Sequence, residues 1–380
     1  EAAAVGVFAD AVNAAGHEWV DAAIAGGGNA RPVILSRIAG GDPMGATQLN
    51  TGRDAEDLVQ AGLMTDLTDL AEAEGWADFI RPSKLLDSCT YEGRIYCVRV
   101  NIHSFQWMWL NRGAYATAGV AVPTNWSEFE AAAPALRDAG ITPLAVGGEA
   151  WQISGMSGVF QVALGGLDLY RAINVDKSPE AAASADMTKV FEAIAAARGM
   201  VDDGYVGRAW NDATAMVITG KAGAQIMGDW AKGEFKVAGK NVGTDYTCTA
   251  APGTSGAHTF NVDSFAFFAQ GTTAGTGAQN IMAAEILGTD FQTVFNLNKG
   301  SIPARLGVSR AEFDSCAHDS MDAFVASSAS GSLVPSFAHG MALPSAVAGA
   351  VVDSATNFFN SSQSAEEGAA QLVASMAAAM

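Results

Sequence analysis

The alternation of strand-like apolar runs with stretches of helical period constrains the fold of this chain more than any other feature. Val5, Phe8, Val12, Trp19, Val20 and Ile24 recur near helical spacing until Gly26-Gly27-Gly28 interrupts them, which predicts a helix over 3–24. Val33-Ile34-Leu35 reads as a short buried strand, 40–51 as a polar loop and 55–61 as a second helix. Strands are expected over 94–100, 105–110, 224–227 and 265–268. Asn125-Trp126-Ser127-Glu128-Phe129 has the form of a capped helix start, and that helix should end near Gly140. Further helices are expected over 188–200, 209–219, 278–287 and 345–359, with the Gly- and Ala-rich 271–277 as a loop. Strand, loop and helix in succession predict α/β architecture.

At 380 residues the chain exceeds what one hydrophobic core supports, so two domains with interleaved segments are expected. The formal charge of −19 disfavours nucleic acid and anionic lipid as partners and suits a neutral ligand. No run of about 18 apolar residues is present to span a membrane. The opening Glu1-Ala2-Ala3-Ala4-Val5 carries neither a basic nor an apolar signal region, as expected of a chain whose secretory signal has been removed.

Cys89, Cys97, Cys248 and Cys316 form no C-x-x-C pair. Cys89 and Cys97 flank Tyr91-Glu92-Gly93-Arg94, a turn between strand-like runs, so a hairpin would set them opposite each other. That leaves Cys248 with Cys316 by elimination. The alternative is four buried thiols.

Nucleotide, esterase and metal chemistry lack their patterns. There is no G-x-x-x-x-G-K-[ST] and no G-x-S-x-G, and the histidines at 17, 103, 258, 318 and 339 lie far apart, none in H-E-x-x-H. No cofactor or metal is expected. Paired carboxylates are harder to set aside, because glycoside hydrolysis needs only two acids beside the scissile bond, and Asp229, Glu234 and Asp263 are candidates.

Three segments carry a resemblance: Met227-Gly228-Asp229-Trp230-Ala231-Lys232-Gly233-Glu234-Phe235, Asn261-Val262-Asp263-Ser264-Phe265 and Lys299-Gly300-Ser301-Ile302-Pro303-Ala304-Arg305. Gly41-Asp42-Pro43 with Gln48, Asn101-Ile102-His103 leading into Trp107-Met108-Trp109-Leu110-Asn111, and Ser336-Phe337-Ala338-His339-Gly340 extend it over almost the whole chain. In this succession the sequence resembles the extracellular solute-binding proteins of carbohydrate ABC importers, above all the bacterial glucose- and mannose-type ones. The resemblance implies a periplasmic-binding-protein fold, with a sugar cleft between two α/β lobes, 1–110 plus 264–310 and 111–263 plus 311–380.

The same resemblance implies ligand-binding roles for Glu1, Gln48, Asn50, Asn101, His103, Trp230, Asp263, Lys299 and His339, and no catalytic residue. Sugars offer C–H faces that stack on aromatic rings and hydroxyls that need both donors and acceptors, a mixture these residues supply. Trp230 should stack on the pyranose, while Asp263 accepts and Lys299 donates charge-assisted hydrogen bonds. Asp229, next to Trp230, would bind the ligand or cap a helix. Asn50 stands where relatives often have His, and Arg99 where Pro is expected. Glu1 matches an acidic residue that follows a Trp-rich strand in relatives, and the sequence begins after that strand. The expected function is delivery of a monosaccharide, glucose foremost, to membrane permease subunits by a monomeric periplasmic protein. The rival is a glycoside-active enzyme using Asp229 and Asp263.

Overall fold

A computed structural model describes residues 2–24, 27–50, 55–80, 82–270 and 273–380. It divides into two units, 1–102 with 262–312 and 103–261 with 313–380, so the chain passes between them three times. Residues 103–110, placed from the sequence with the first lobe, cluster here with the second unit, and residues 262–263 and 311–312, placed with the second lobe, cluster with the first unit.

The first unit is organised around a three-stranded antiparallel sheet with Asp263–Phe267 at its centre, flanked by Ala46–Asn50 and Cys97–Arg99. Both neighbours are read in register, Gln48 opposite Phe265, Asn50 opposite Asp263 and Arg99 opposite Ser264. Helices Ala2–Ala14, Thr273–Ile286 and Thr289–Lys299 pack together beside it. Phe8, fully buried, fixes that packing: its ring centroid lies 4.6 Å from those of Phe265 and Phe291. Burial of such a ring stabilises by about 1.5–3 kcal/mol.

The hairpin is as the sequence predicts. Thr90–Tyr91 pairs with Arg94–Ile95 through Glu92 and Gly93, both at positive φ (48° and 79°), the two-residue turn whose twist matches the strands. Cys89 and Cys97, 5.2 Å apart at Cα, are disulfide-bonded across it.

Four expectations for this unit are corrected. The first helix stops at Ala14, because Gly16 adopts φ 85° and His17 N–H turns back to the carbonyl of Val12, which closes the last turn. Residues 33–35 lie in a helix, Gly27–Ala39, not a strand. Only Ile34 is buried while Val33 and Leu35 are exposed, the one-sided burial of a helix, which three apolar residues in a row cannot reveal. The supposed loop 40–51 contains the edge strand Ala46–Asn50, so Gln48 and Asn50 lie on a strand. The supposed 271–277 loop runs into the helix Thr273–Ile286, with 271–272 outside the described residues.

The second unit holds a four-stranded mixed sheet in the order Thr142–Leu144, Ala222–Met227, Trp107–Asn111, Tyr246–Ala250. Ala222–Met227 is buried along its whole length. A further strand, His258–Asn261, pairs with Ser104 and His103 on one side and in parallel with Leu333–Pro335 on the other. Helices Ala150–Asn174, Ala185–Arg198, Ser345–Phe359 and Ala365–Ala379 pack against one another in this unit. The helix Trp126–Asp138 starts as expected, with the Asn125 side chain accepting the Glu128 N–H. Cys248 is disulfide-bonded to Cys316, 6.1 Å away at Cα. The segment Ala150–Asn174, two helices joined across a kink at Gly166 (φ 73°), gives no sequence signal, because Gln152–Val162 is buried without a break and has no exposed face.

Candidate functional site

In the second unit the strand Ala222–Met227 ends at Gly228 and Trp230 opens the helix Ala231–Val237. A Cβ at Gly228 would stand 2.2 Å from the Trp230 ring, so the indole lies flat against a backbone that only glycine permits. Asp229, between them, is buried and does not cap the helix. Its Oδ1 lies 2.5 Å from His103 Nδ1 and its Oδ2 accepts the Ser104 N–H, while its own N–H donates to the Ser104 carbonyl. The carboxylate therefore locks the strand at 103–104 to the turn at 228–229 and fixes the orientation of the His103 ring.

Around Trp230 the same unit collects aromatic and imidazole rings. His103 meets it edge-on at 5.1 Å, His339 at 5.5 Å and Phe105 at 5.8 Å, while Trp151 lies tilted to it at 6.0 Å. Gly155 lets the helix Ala150–Asn174 sit down on Phe105, since a Cβ there would lie 2.7 Å from that ring. His339 is oriented by Ser336 Oγ at 2.7 Å from its Nδ1. Trp230 is only 8% exposed, whereas Trp151, whose indole N–H donates to Glu149, is half-buried and the more accessible indole. Such a cluster offers apolar faces and imidazole nitrogens together, the combination a hydroxylated ring requires.

In the first unit a polar network takes the place of rings. The Asn101 side chain donates to Asp263 Oδ2 and accepts the Asp263 N–H, both at 2.9 Å, and Lys299 Nζ stands 3.3 Å from the same Oδ2. All three residues are buried. Lys299 closes the helix Thr289–Lys299, where a cation is favoured by the helix dipole, and Gly300 at φ 89° turns the chain away. Asn50 is the register partner of Asp263, and Gln48, exposed, lies two residues back on that strand.

Arg99, where proline is expected, is wholly buried. It donates to the Leu85 carbonyl and to the hydroxyls of Ser88 and Ser264, and burial brings its pKa down to about 9, so it stays charged at pH 7. It ties the strand Cys97–Arg99 to the helical turn at 84–87 and to the central strand.

Of the residues singled out from the sequence, Asn101, Asp263 and Lys299 are brought together in one unit, and His103, Trp230 and His339 in the other. Glu1 lies outside the described residues. Phe105 and Trp151 were missed: each is one apolar residue among many, and only the packing distinguishes it. Among the described residues no group of three or more His, Cys, Asp or Glu is placed to hold a metal, and no helix is long and apolar enough to cross a membrane.

Residues 13–279 match the family model of bacterial extracellular solute-binding proteins. A probable sugar-binding periplasmic protein of Brucella suis is 40% identical over 381 residues, covering 100% of this chain and 90% of that protein. Its counterpart in Rhizobium meliloti is 39% identical, covering 100% and 91%. Among solved structures, the bacterial solute receptor AcbH, described with an exclusive preference for β-D-galactopyranose, superposes with a TM-score of 0.78 at 17% identity, covering 98% of this chain and 93% of its own. A chitin oligosaccharide binding protein gives a TM-score of 0.76 at 17% identity, covering 99% and 94%. At such identities the structural likeness shows the periplasmic-binding-protein fold alone.

Proposed function

The chain belongs to the family of bacterial extracellular solute-binding proteins, and from that premise we propose that it captures a monosaccharide, glucose foremost, for an ABC importer. It is a periplasmic protein, an oxidising location that suits its two disulfides. The observation that carries the sugar reading is the gathering of Trp230, Trp151 and Phe105 with His103 and His339, aromatic and imidazole rings in one cluster of which Trp151 is the most accessible indole. Asp263, Asn101 and Lys299 serve the hydroxyls, with Gln48 and Asn50 beside them and Glu1 contributing an acidic group. The names of the Brucella and Rhizobium relatives support the same ligand class.

In this reading the protein acts as a monomer, turns nothing over and passes its ligand to permease subunits. Asp229 is bonded to His103 and Ser104, and Asp263 to Asn101 and Lys299, so each carboxylate has a positioning role that accounts for its burial without an acid–base step. Calorimetry against glucose, galactose, mannose, xylose and maltose tests the proposal. We expect saturable heat with glucose at the highest affinity; silence across the panel would overturn the sugar reading, and tighter binding of another sugar the glucose assignment. Sustained aglycone release from aryl glycosides would instead favour the hydrolase.

A further inference from the structure

Glu149 precedes the helix that carries Trp151, in the position from which a side chain ordinarily caps the first turn. Its carboxylate makes no capping bond. It accepts instead from two neighbouring side chains on one oxygen, Oε2, which lies 3.1 Å from Trp151 Nε1 and 2.8 Å from Gln152 Nε2. Two donors converging on a single anionic oxygen give the carboxylate a side-chain task, the orientation of the indole, in place of a backbone one.

The surroundings hold this clamp in place. Gln152 is buried, and its amide fills the space over Gly147, where a Cβ would stand 2.2 Å from Oε1. With Nε2 turned to the carboxylate, Oε1 is buried without a partner; the flipped amide would set oxygen against oxygen, so Glu149 dictates the orientation. Gly148 lies against the chain at 205–207, since a Cβ there would meet the Gly207 nitrogen at 2.5 Å, and its N–H donates to the Arg208 carbonyl. Asp202 in turn holds Arg208 in an ion pair.

Trp151 is thereby presented by its face. Its N–H is taken up by Glu149, and its ring centroid lies 5.8 Å from that of His339, 6.0 Å from that of Trp230 and 6.3 Å from that of Phe105. It is the open indole of the cluster, beside Trp230 at 8% exposed. A partly exposed side chain that is free to turn loses rotamer freedom when a ligand settles on it, and one already held loses less.

We propose that Glu149 is a positioning residue for sugar binding that acts through Trp151, an inference that rests on the sugar reading above. By holding the indole N–H it sets the ring face for the C–H groups of the ligand before the ligand arrives. The test measures glucose affinity by calorimetry, with galactose, mannose, xylose and maltose alongside, and follows the ¹⁵N-labelled Trp151 Nε1–H resonance, assigned through Trp151→Phe. A bound sugar is expected to move that resonance saturably in the unaltered protein. Glu149→Ala is expected to shift it in the free protein and to weaken binding about threefold, and Glu149→Gln, which keeps an acceptor oxygen, to restore the affinity. In a Trp151→Phe background, where no N–H is left to hold, Glu149→Ala should weaken binding no further. Where Glu149→Ala does not fold, Glu149→Leu, which keeps the bulk and removes the acceptor, decides. Sugar binding that leaves the Trp151 resonance unmoved, an affinity that Glu149→Ala does not alter, or an equal loss with Trp151→Phe present would each overturn this proposal alone. Silence of the unaltered protein toward all the sugars would overturn the sugar reading with it.

Discussion

The two units present their candidate binding groups in opposite ways. In the first, Asp263 is held by an amide and an ammonium within a buried network; in the second, Trp230 is held by rings, and its nearest carboxylate, Asp229, is turned to His103 instead. Charge-assisted hydrogen bonds are strong and directional, so the first unit is suited to reading where hydroxyls sit. Ring contacts depend on area more than angle, so the second is suited to gripping a face whatever its hydroxyl pattern.

The contrast yields predictions that run from large effects to small. Asp263→Ala is expected to destabilise by about 3–5 kcal/mol in urea unfolding, because it leaves Lys299 buried without its carboxylate. A cost near zero would mean that the network does not hold the first unit together. The disulfides should differ in the other direction. Replacing Cys248 and Cys316, 68 residues apart, should cost about 4 kcal/mol, and replacing Cys89 and Cys97, eight apart, about 2.5 kcal/mol, from the chain entropy each loop removes. Equal losses would remove loop length as the reason.

Trp230→Ala is expected to weaken sugar binding by roughly 1–3 kcal/mol, measured by calorimetry. A Trp151→Ala loss larger than this would shift the stacking face to the more accessible indole. Smallest per unit of pH is the effect of His258. Its folded pKa of about 4 lies below the ordinary 6.5, so between those values the unfolded chain binds the proton that the folded one refuses. Its contribution is therefore complete above pH 6.5 and is lost at about 1.4 kcal/mol per pH unit as pH falls toward 4. His258→Gln should flatten that slope in acid titrations of unfolding, and an unchanged slope would assign acid sensitivity to other groups.

Where a signal is local, the chain could be read directly. Asn125 caps its helix, Ser345–Phe359 spans the residues expected of it, and Glu92-Gly93 turns the hairpin that joins Cys89 to Cys97. Where burial surrounds an element, the reading fails: Gln152–Val162 has no exposed face to betray its period, and Ile34 is the one buried residue of a run that looked like a strand. Trp151 and Phe105 fall in the same gap, for an apolar residue acquires a role only from the rings it meets.

The sequence by itself determined the α/β class, the succession of motifs that marks the family, and the residue types a sugar requires. Tertiary structure alone decided their partners. Asn101 and Asp263 are 162 residues apart, His103 and Asp229 126 apart, and no local pattern specifies either bond. A capping bond or a turn is settled within a few residues by backbone geometry, whereas a carboxylate chooses its partner only after the strands have paired. That is why Asp229, which the sequence left between catalyst and cap, orients His103.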